Sequence, residues 1–430
     1  MTAPLRVLLV VEACNPAWVS VPLVGYNLAR ALAARTDLRV TIATHIRNRS
    51  DLAASDLHRY AEIEFIDNEW LARPIYRFAR FLRGGDQLSW TIDTALTWPS
   101  YIVFEKLVAK IFSARLARGD FDLVHRITPL SPTVPSPLAA ATSVPMIVGP
   151  LNGGLAWPKQ FPDLVRRERE WLVPFRCLYR WLPYHRSMYA HLAAVIVASR
   201  STAAEVPTGF RGLRLDLPEN GVDPERFPIV EAWSPPRGKF RFVTVGRLVA
   251  YKGLSLTLEA MRRSARLREC ELAVIGDGPE RAAHETFIAC HGLRDCVKLL
   301  GRMSQPDLAG ELRRSQAFVF PSLREFGGAV VLEAMASALP CVVVDYGGPA
   351  ELLDESTGIK LPLQRREELV ESVRTAMEAL VESPVRCRSL GEAAAHVVRH
   401  SHIWSAKAER IAGFYRETLT FARKRSSEDA

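Results

Sequence analysis

Short apolar runs alternate with longer helical stretches along the whole chain, and this alternation constrains the fold more than any other feature. In the first half the strand-like runs are 5–11, 38–44, 121–125, 145–148 and 195–199, with Pro22–Ala34 reading as a helix. In the second half they are 240–245, 272–275, 297–300, 317–320 and 341–344, with Leu254–Arg268 as a helix. Near-continuous apolar strands joined by helices mean parallel sheets covered on both faces. With 430 residues, 48% of them apolar, the chain can bury two cores rather than one. The expected fold class is therefore α/β, with two Rossmann-like domains. The boundary is expected in 217–236, a stretch rich in Pro, Gly and Asp, which sets 1–218 and 219–402 as the domains. Residues 421–430, which include Arg423-Lys424-Arg425 and Glu428-Asp429, are expected to be a disordered tail.

Charge is unevenly spread. Residues 1–215 hold 26 Lys and Arg against 17 Asp and Glu, while residues 216–430 hold 30 of each. The first half therefore carries the whole positive excess and is the half expected to meet an anionic partner. Seven cysteines without CxxC spacing point to reduced, mostly buried thiols in the cytoplasm. The opening run Leu5–Val11 reads as a strand, not a signal peptide. Residues 127–158 lack charge but are broken by prolines, which excludes a membrane-spanning helix. No His, Cys, Asp or Glu set has convincing metal-ligand spacing, so no metal is expected. No Gly-x-Ser-x-Gly elbow is present.

Parallel sheets bind ligands where their strands end. The loop after 240–245 holds Gly246, Arg247 and Lys252, two cations suited to phosphate oxygens. Gly276 and Gly278 follow 272–275; a plain strand-to-helix turn and direct ligand contact are both open there. After 317–320 comes Arg324-Glu325-Phe326-Gly327-Gly328, leading into a helical run that contains Glu333. The free amides at that helix start suit a diphosphate. Carboxylates cannot hold phosphate, so Glu325 and Glu333 are expected to accept hydrogen bonds from hydroxyls, such as those of a sugar and a ribose diol. Glu333 stands in an apolar run, where a charge needs a reason. In the first half, His125 ends a strand and reads either as a sugar contact or as a structural histidine. Gly153 and Gly154 permit close backbone approach after 145–148. Ser20 reads as a helix cap, and the amides beside it could face a diphosphate. Arg73, Arg77, Arg80 and Arg83 share one side of a helical stretch with an apolar stripe opposite, and 171–186 interleaves Arg with Trp, Phe and Tyr. Such segments suit an anionic bilayer. No nucleic-acid-binding module is present, so nucleic acid is not an expected partner.

Taken together, Arg247, Lys252, the Glu325–Glu333 pair with seven residues between, Asn220-Gly221-Val222-Asp223, the Gly-Asp-Gly-Pro turn at 276–279 and His125 resemble the retaining GT-B glycosyltransferases of family 4. The resemblance covers nearly the whole chain and is strongest over 220–360. It implies GT-B architecture, two Rossmann-like domains facing across a cleft, with the 403–420 helix crossing back to the first. It further implies a UDP-, GDP- or ADP-sugar donor on the second domain and no bound metal. Arg247 and Lys252 would neutralise the leaving diphosphate, Glu325 would orient the donor sugar, Glu333 would hold the ribose, and His125 would reach the sugar. The first domain would bind a lipid-linked or glycan acceptor. A hexosyltransferase of cell-surface polysaccharide or glycolipid synthesis is expected, in the cytoplasm or peripheral on the inner face of the cell membrane. The alternatives are a sugar-nucleotide epimerase and a non-catalytic sugar-nucleotide-binding protein. Two departures stand out: Trp18-Val19-Ser20-Val21-Pro22 replaces paired glycines in the first loop, and Gly328-Ala329 replaces a bulkier residue.

Overall fold

The computed structural model describes the backbone of residues 3–83, 90–167 and 179–428, and their side chains except 78–83, 90–97, 165–167, 426 and 428. Two compact units emerge. The first comprises residues 1–154, 168–219 and 404–430; the second comprises 155–167 and 220–403.

The first unit is a parallel sheet of seven strands: β1 (Leu5–Val11), β2 (Leu38–His45), β3 (Ala61–Ile66), β4 (Leu123–Thr128), β5 (Met146–Leu151), β6 (Ala194–Val197) and β7 (Leu213–Asp216). Their spatial order is β3-β2-β1-β4-β5-β6-β7. Alternation along β1 sends Val7, Leu9 and Val11 to one face and Leu8 and Val10 to the other, and both faces are buried. That is the sequence logic of a sheet covered twice. One cover is the terminal helix Trp404–Glu428, whose Ile411, Phe414 and Tyr415 lie in the core beside helix Val21–Ala33. Each such burial contributes roughly 1.5–3 kcal/mol. The other cover is the helix Trp90–Ala117, which brings Phe104, Val108 and Phe112.

The second unit is a parallel sheet of six strands: β8 (Arg241–Val245), β9 (Glu271–Ile275), β10 (Val297–Gly301), β11 (Ala317–Phe320), β12 (Cys341–Val344) and β13 (Gly358–Leu361), in the order β10-β9-β8-β11-β12-β13. Phe318 and Phe320 turn to one buried face, and Ala317 and Val319 to the other.

Three differences from the sequence reading have physical causes. Residues 155–167, placed by sequence in the first domain, pack on the second unit. Trp157, Phe161 and Leu164 recur at helical spacing and join its core, and the Tyr346 hydroxyl donates to the Ala156 carbonyl (2.8 Å). The expected disordered tail is helical as far as Glu428. Arg, Lys and Ala are strong helix formers, and this stretch extends a helix already nucleated against the core. The expected helix Leu254–Arg268 breaks after Arg263, where Ser264 accepts from the Leu267 amide and caps a new turn.

Six cysteines are described; none is in a disulfide and all but Cys290 are buried. Among the described residues, no helix is long and apolar enough to cross a membrane.

Candidate functional site

The order of the second sheet reverses between β8 and β11, the place where an open parallel sheet leaves a crevice at its carboxyl edge. The β8 loop continues through a short turn, Ala250–Lys252, into the helix Leu254–Arg263. The β11 loop leads into the helix Ala329–Ala336. Leu323 donates its amide to the Tyr251 carbonyl (2.7 Å), tying these two loops together. A hollow at this edge is lined by Gly246, Arg247, Lys252, Ile275 and Phe320 among others.

Lys252 and Glu325 meet here. Nζ of Lys252 contacts Oε2 of Glu325, with each side chain about one-fifth exposed, and the ammonium sits 5.0 Å from the centre of the Phe320 ring. Burial pulls Lys252 down to about 8, while the adjacent carboxylate favours keeping its charge. An ammonium has three donors, so pairing with Glu325 leaves capacity for a second oxyanion. The Arg247 side chain is exposed at the mouth of the hollow.

Glu333 lies on the fifth residue of its helix and is half-buried. Burial pushes its carboxyl up to about 7. The helix begins after Gly328, which takes φ +71°, a conformation open to glycine at little cost. The amides of its first turn are therefore presented at the carboxyl edge. Phe326 is half-buried under the Arg324 guanidinium, whose carbon is 4.8 Å from the ring centre; Gly327 is buried.

Other predicted residues are used differently. At Gly276 (φ +136°) a Cβ would lie 1.9 Å from the Gly246 carbonyl oxygen, and at Gly278 one would lie 2.4 Å from that of Leu248. These glycines let the β9 loop lie against the β8 loop. The Leu248 amide donates to Asp277 O (3.0 Å) across the same seam.

In the first unit, His125 is fully buried. Its Nδ1 is 2.6 Å from the Tyr415 hydroxyl and its Nε2 is 2.7 Å from the Gly149 carbonyl. Burial lowers it to about 4, so the ring is neutral near pH 7. Both nitrogens are engaged within the sheet and its covering helix, so the expected sugar contact is replaced by a structural role. Gly153 donates its amide to Thr202 Oγ1 (3.0 Å) and packs on Pro132, and Gly154 lies against Ser201. Ser20 is exposed and makes no side-chain cap; its backbone takes φ 64° and ψ −133°, a region that disfavours residues with a Cβ. Its carbonyl still accepts the Val24 amide (3.1 Å).

Sequence reasoning overlooked Arg126, fully buried beside His125 on β4. The signal was present: a charge inside an apolar strand, the pattern that singled out Glu333. Among the described residues, no group of three or more His, Cys, Asp or Glu side chains is placed to hold a metal ion.

Known proteins agree with this architecture. Residues 226–396 match the family model for glycosyl transferases group 1. The chain is 34% identical over 175 residues to the alpha-D-kanosaminyltransferase of Streptomyces kanamyceticus, which covers 40% of this chain and 44% of that protein. The chain thus spans less than half the length of this relative. Among solved structures, sucrose-phosphate synthase from Thermosynechococcus elongatus superposes with a TM-score of 0.67 at 19% identity, over 97% of this chain and 99% of that one. Anabaena Alr3699/HepE, solved in complex with UDP and glucose, gives 0.57 at 15% identity, over 96% and 100%. The chain has the GT-B fold, two Rossmann-like α/β units, and its residues 226–396 are similar in sequence to the group 1 glycosyl transferases.

Proposed function

We propose that the chain is a retaining glycosyltransferase that takes a hexose from a nucleoside-diphosphate sugar. The observation that carries this reading is the Lys252–Glu325 contact at the β8–β11 switch point, with Arg247 on the same hollow. An anion-binding group and a hydroxyl-binding group side by side match a phosphate bonded to a sugar. Arg247 and Lys252 hold the diphosphate, with the first-turn amides after Gly328 as further donors. Glu325 accepts from donor sugar hydroxyls and Glu333 from the ribose diol.

In the transfer, the bond between the anomeric carbon and the phosphate oxygen breaks while a bond to the acceptor oxygen forms on the same face. The acceptor proton passes to the departing phosphate. The cations stabilise charge that grows on that phosphate, so their effect belongs to the transition state. The HepE structure with UDP and glucose supports a UDP-sugar as the first donor to test. A screen of UDP-, GDP- and ADP-sugars for hydrolysis and thermal protection tests the reading. One nucleotide class is expected to protect the protein, and Arg247→Ala or Glu325→Ala to lower turnover at least about 100-fold. Unchanged turnover in both variants would refute it.

The acceptor belongs to the first unit in this reading. Peripheral contact with an anionic membrane is supported by the exposed Trp70 and Tyr76 with Arg73 and Arg77, and by the exposed Trp181 with Arg180 and Arg186. In these two segments the side chains of residues 78–83, Arg80 and Arg83 among them, and residues 171–178 lie outside the described residues. Arg73 and Arg180 are partly neutralised by Glu69 and Glu205. Sedimentation is expected with anionic liposomes and not with neutral ones; no sedimentation with either counts against membrane contact.

A further inference from the structure

We propose that Arg126 binds an oxyanion, a phosphate or carboxylate carried by the acceptor, at the switch point of the first sheet. The proposal rests on the glycosyltransferase reading for the word acceptor, and on the first unit alone for the site.

The first sheet reverses its order between β1 and β4, so its ligand edge lies at the ends of those strands. Along β4, Leu123 and Ile127 face the terminal helix, whereas Val124 faces the helix Trp90–Ala117. Arg126 shares the side of Val124 by strand alternation and lies 5.8 Å from the centre of the Tyr101 ring on that helix. Its Nη1 donates to the Val134 carbonyl (2.7 Å). Its Nε and Nη2 are buried and have no hydrogen-bond partner among the described residues. These two nitrogens form the side edge of the guanidinium, whose parallel N–H bonds match the two oxygens of a carboxylate or phosphate.

Glu105 is a buried counter-charge that feels Arg126, but it makes no hydrogen bond to that edge. Glu105 is fully buried, and its oxygens accept from Tyr101, from Ser136 Oγ (2.9 and 2.7 Å) and from the Leu138 amide (3.2 Å). Glu12, which follows the last residue of β1, is pushed up to about 6 by burial and feels the charge of Arg47. The remaining orphaned groups on this side include one pure donor and groups that can donate or accept. Trp98 Nε1, which can only donate, lies one turn before Tyr101; the Tyr189 hydroxyl feels the Arg126 charge; and both ring nitrogens of His185 lack partners, its ring 5.3 Å from that of Tyr189. The free N–H groups of Arg126 and Trp98 call for a ligand with acceptor oxygens. The positive excess of the first half favours the same sign of partner.

The test uses the full chain carrying Arg247→Ala and Lys252→Ala, so that the proposed donor site no longer takes phosphate. Binding of inorganic phosphate and of acetate is measured by calorimetry. Arg126→Lys keeps the charge but loses the side edge; Arg126→Met with Glu105→Gln removes both buried charges together, which guards against simple misfolding. Saturable binding of one or both ions, weakened about tenfold or more in each Arg126 variant of unchanged circular dichroism, supports the site. Phosphate alone identifies a phosphorylated acceptor, and acetate a carboxylate-bearing one. Equal binding in the Arg126 variants, or none in the parent, overturns it. Separately, if the wild-type chain binds no nucleotide sugar, the transferase reading fails, while the Arg126 result stands on its own.

Discussion

At the scale of single residues, the second unit combines a paired cation with a carboxyl held away from its usual pKa. Glu333 at about 7 is protonated over much of the range below neutrality. A carboxylate that accepts from ribose hydroxyls must be ionised, so donor binding favours the charged form and releases a proton below that pKa. Affinity is therefore expected to rise with pH up to about 7, approaching tenfold per unit on the acid side, and to fall again as Lys252, at about 8, loses its proton. Calorimetry from pH 5 to 8 checks this, and Glu333→Gln should flatten the rise while weakening binding. In the folded chain without donor the sign is opposite: the raised pKa costs stability as pH climbs from 4.5 towards 7. The partial burial of Glu333 was legible in the sequence because the residue stands in an apolar run. His125 misled because the end of a strand does not reveal which face a ring takes, and Tyr415, its partner 290 residues away, is invisible to any local pattern.

Among elements, every strand that periodicity missed lies at a sheet edge, although one edge strand, β10, was read. β3, β7 and β13 escaped the sequence reading, and all three lie at sheet edges. Edge strands need only one apolar face, so Glu62 and Glu64 in β3 and Arg214 and Asp216 in β7 interrupt the run. Interior strands, apolar on both faces, were readable to within a few residues. The loops are where sequence says least, because glycine serves ligand contact and loop-to-loop packing equally well. Gly276 is the measurable case. Alanine there must place its Cβ against the Gly246 carbonyl at positive φ, so Gly276→Ala is expected to cost about 2 kcal/mol or more. Urea unfolding followed in the second unit reads that cost. Donor affinity should fall with it, because the shifted β8 loop carries Arg247 and Lys252. A variant of wild-type stability would show that the seam is looser than described.

For the whole molecule, fold class followed from alternation alone, since two sets of apolar strands joined by helices leave few other solutions. The exchange of segments between units did not. Residues 155–167 belong with the second unit because Trp157, Phe161 and Leu164 bury there, a choice made by tertiary packing rather than chain order. Function divides along the same lines in our reading: a donor site where β8 and β11 part, and an acceptor site where β1 and β4 part. The central claim is that Arg247 and Lys252 hold a nucleoside diphosphate at the β8–β11 edge. Calorimetric titration of UDP, GDP and ADP into the wild-type chain and into Arg247→Ala/Lys252→Ala tests it most directly. The account predicts saturable binding of at least one diphosphate by the wild type, weakened about 100-fold or more in the double variant. Equal affinity in both proteins, or binding of none by the wild type, would contradict it.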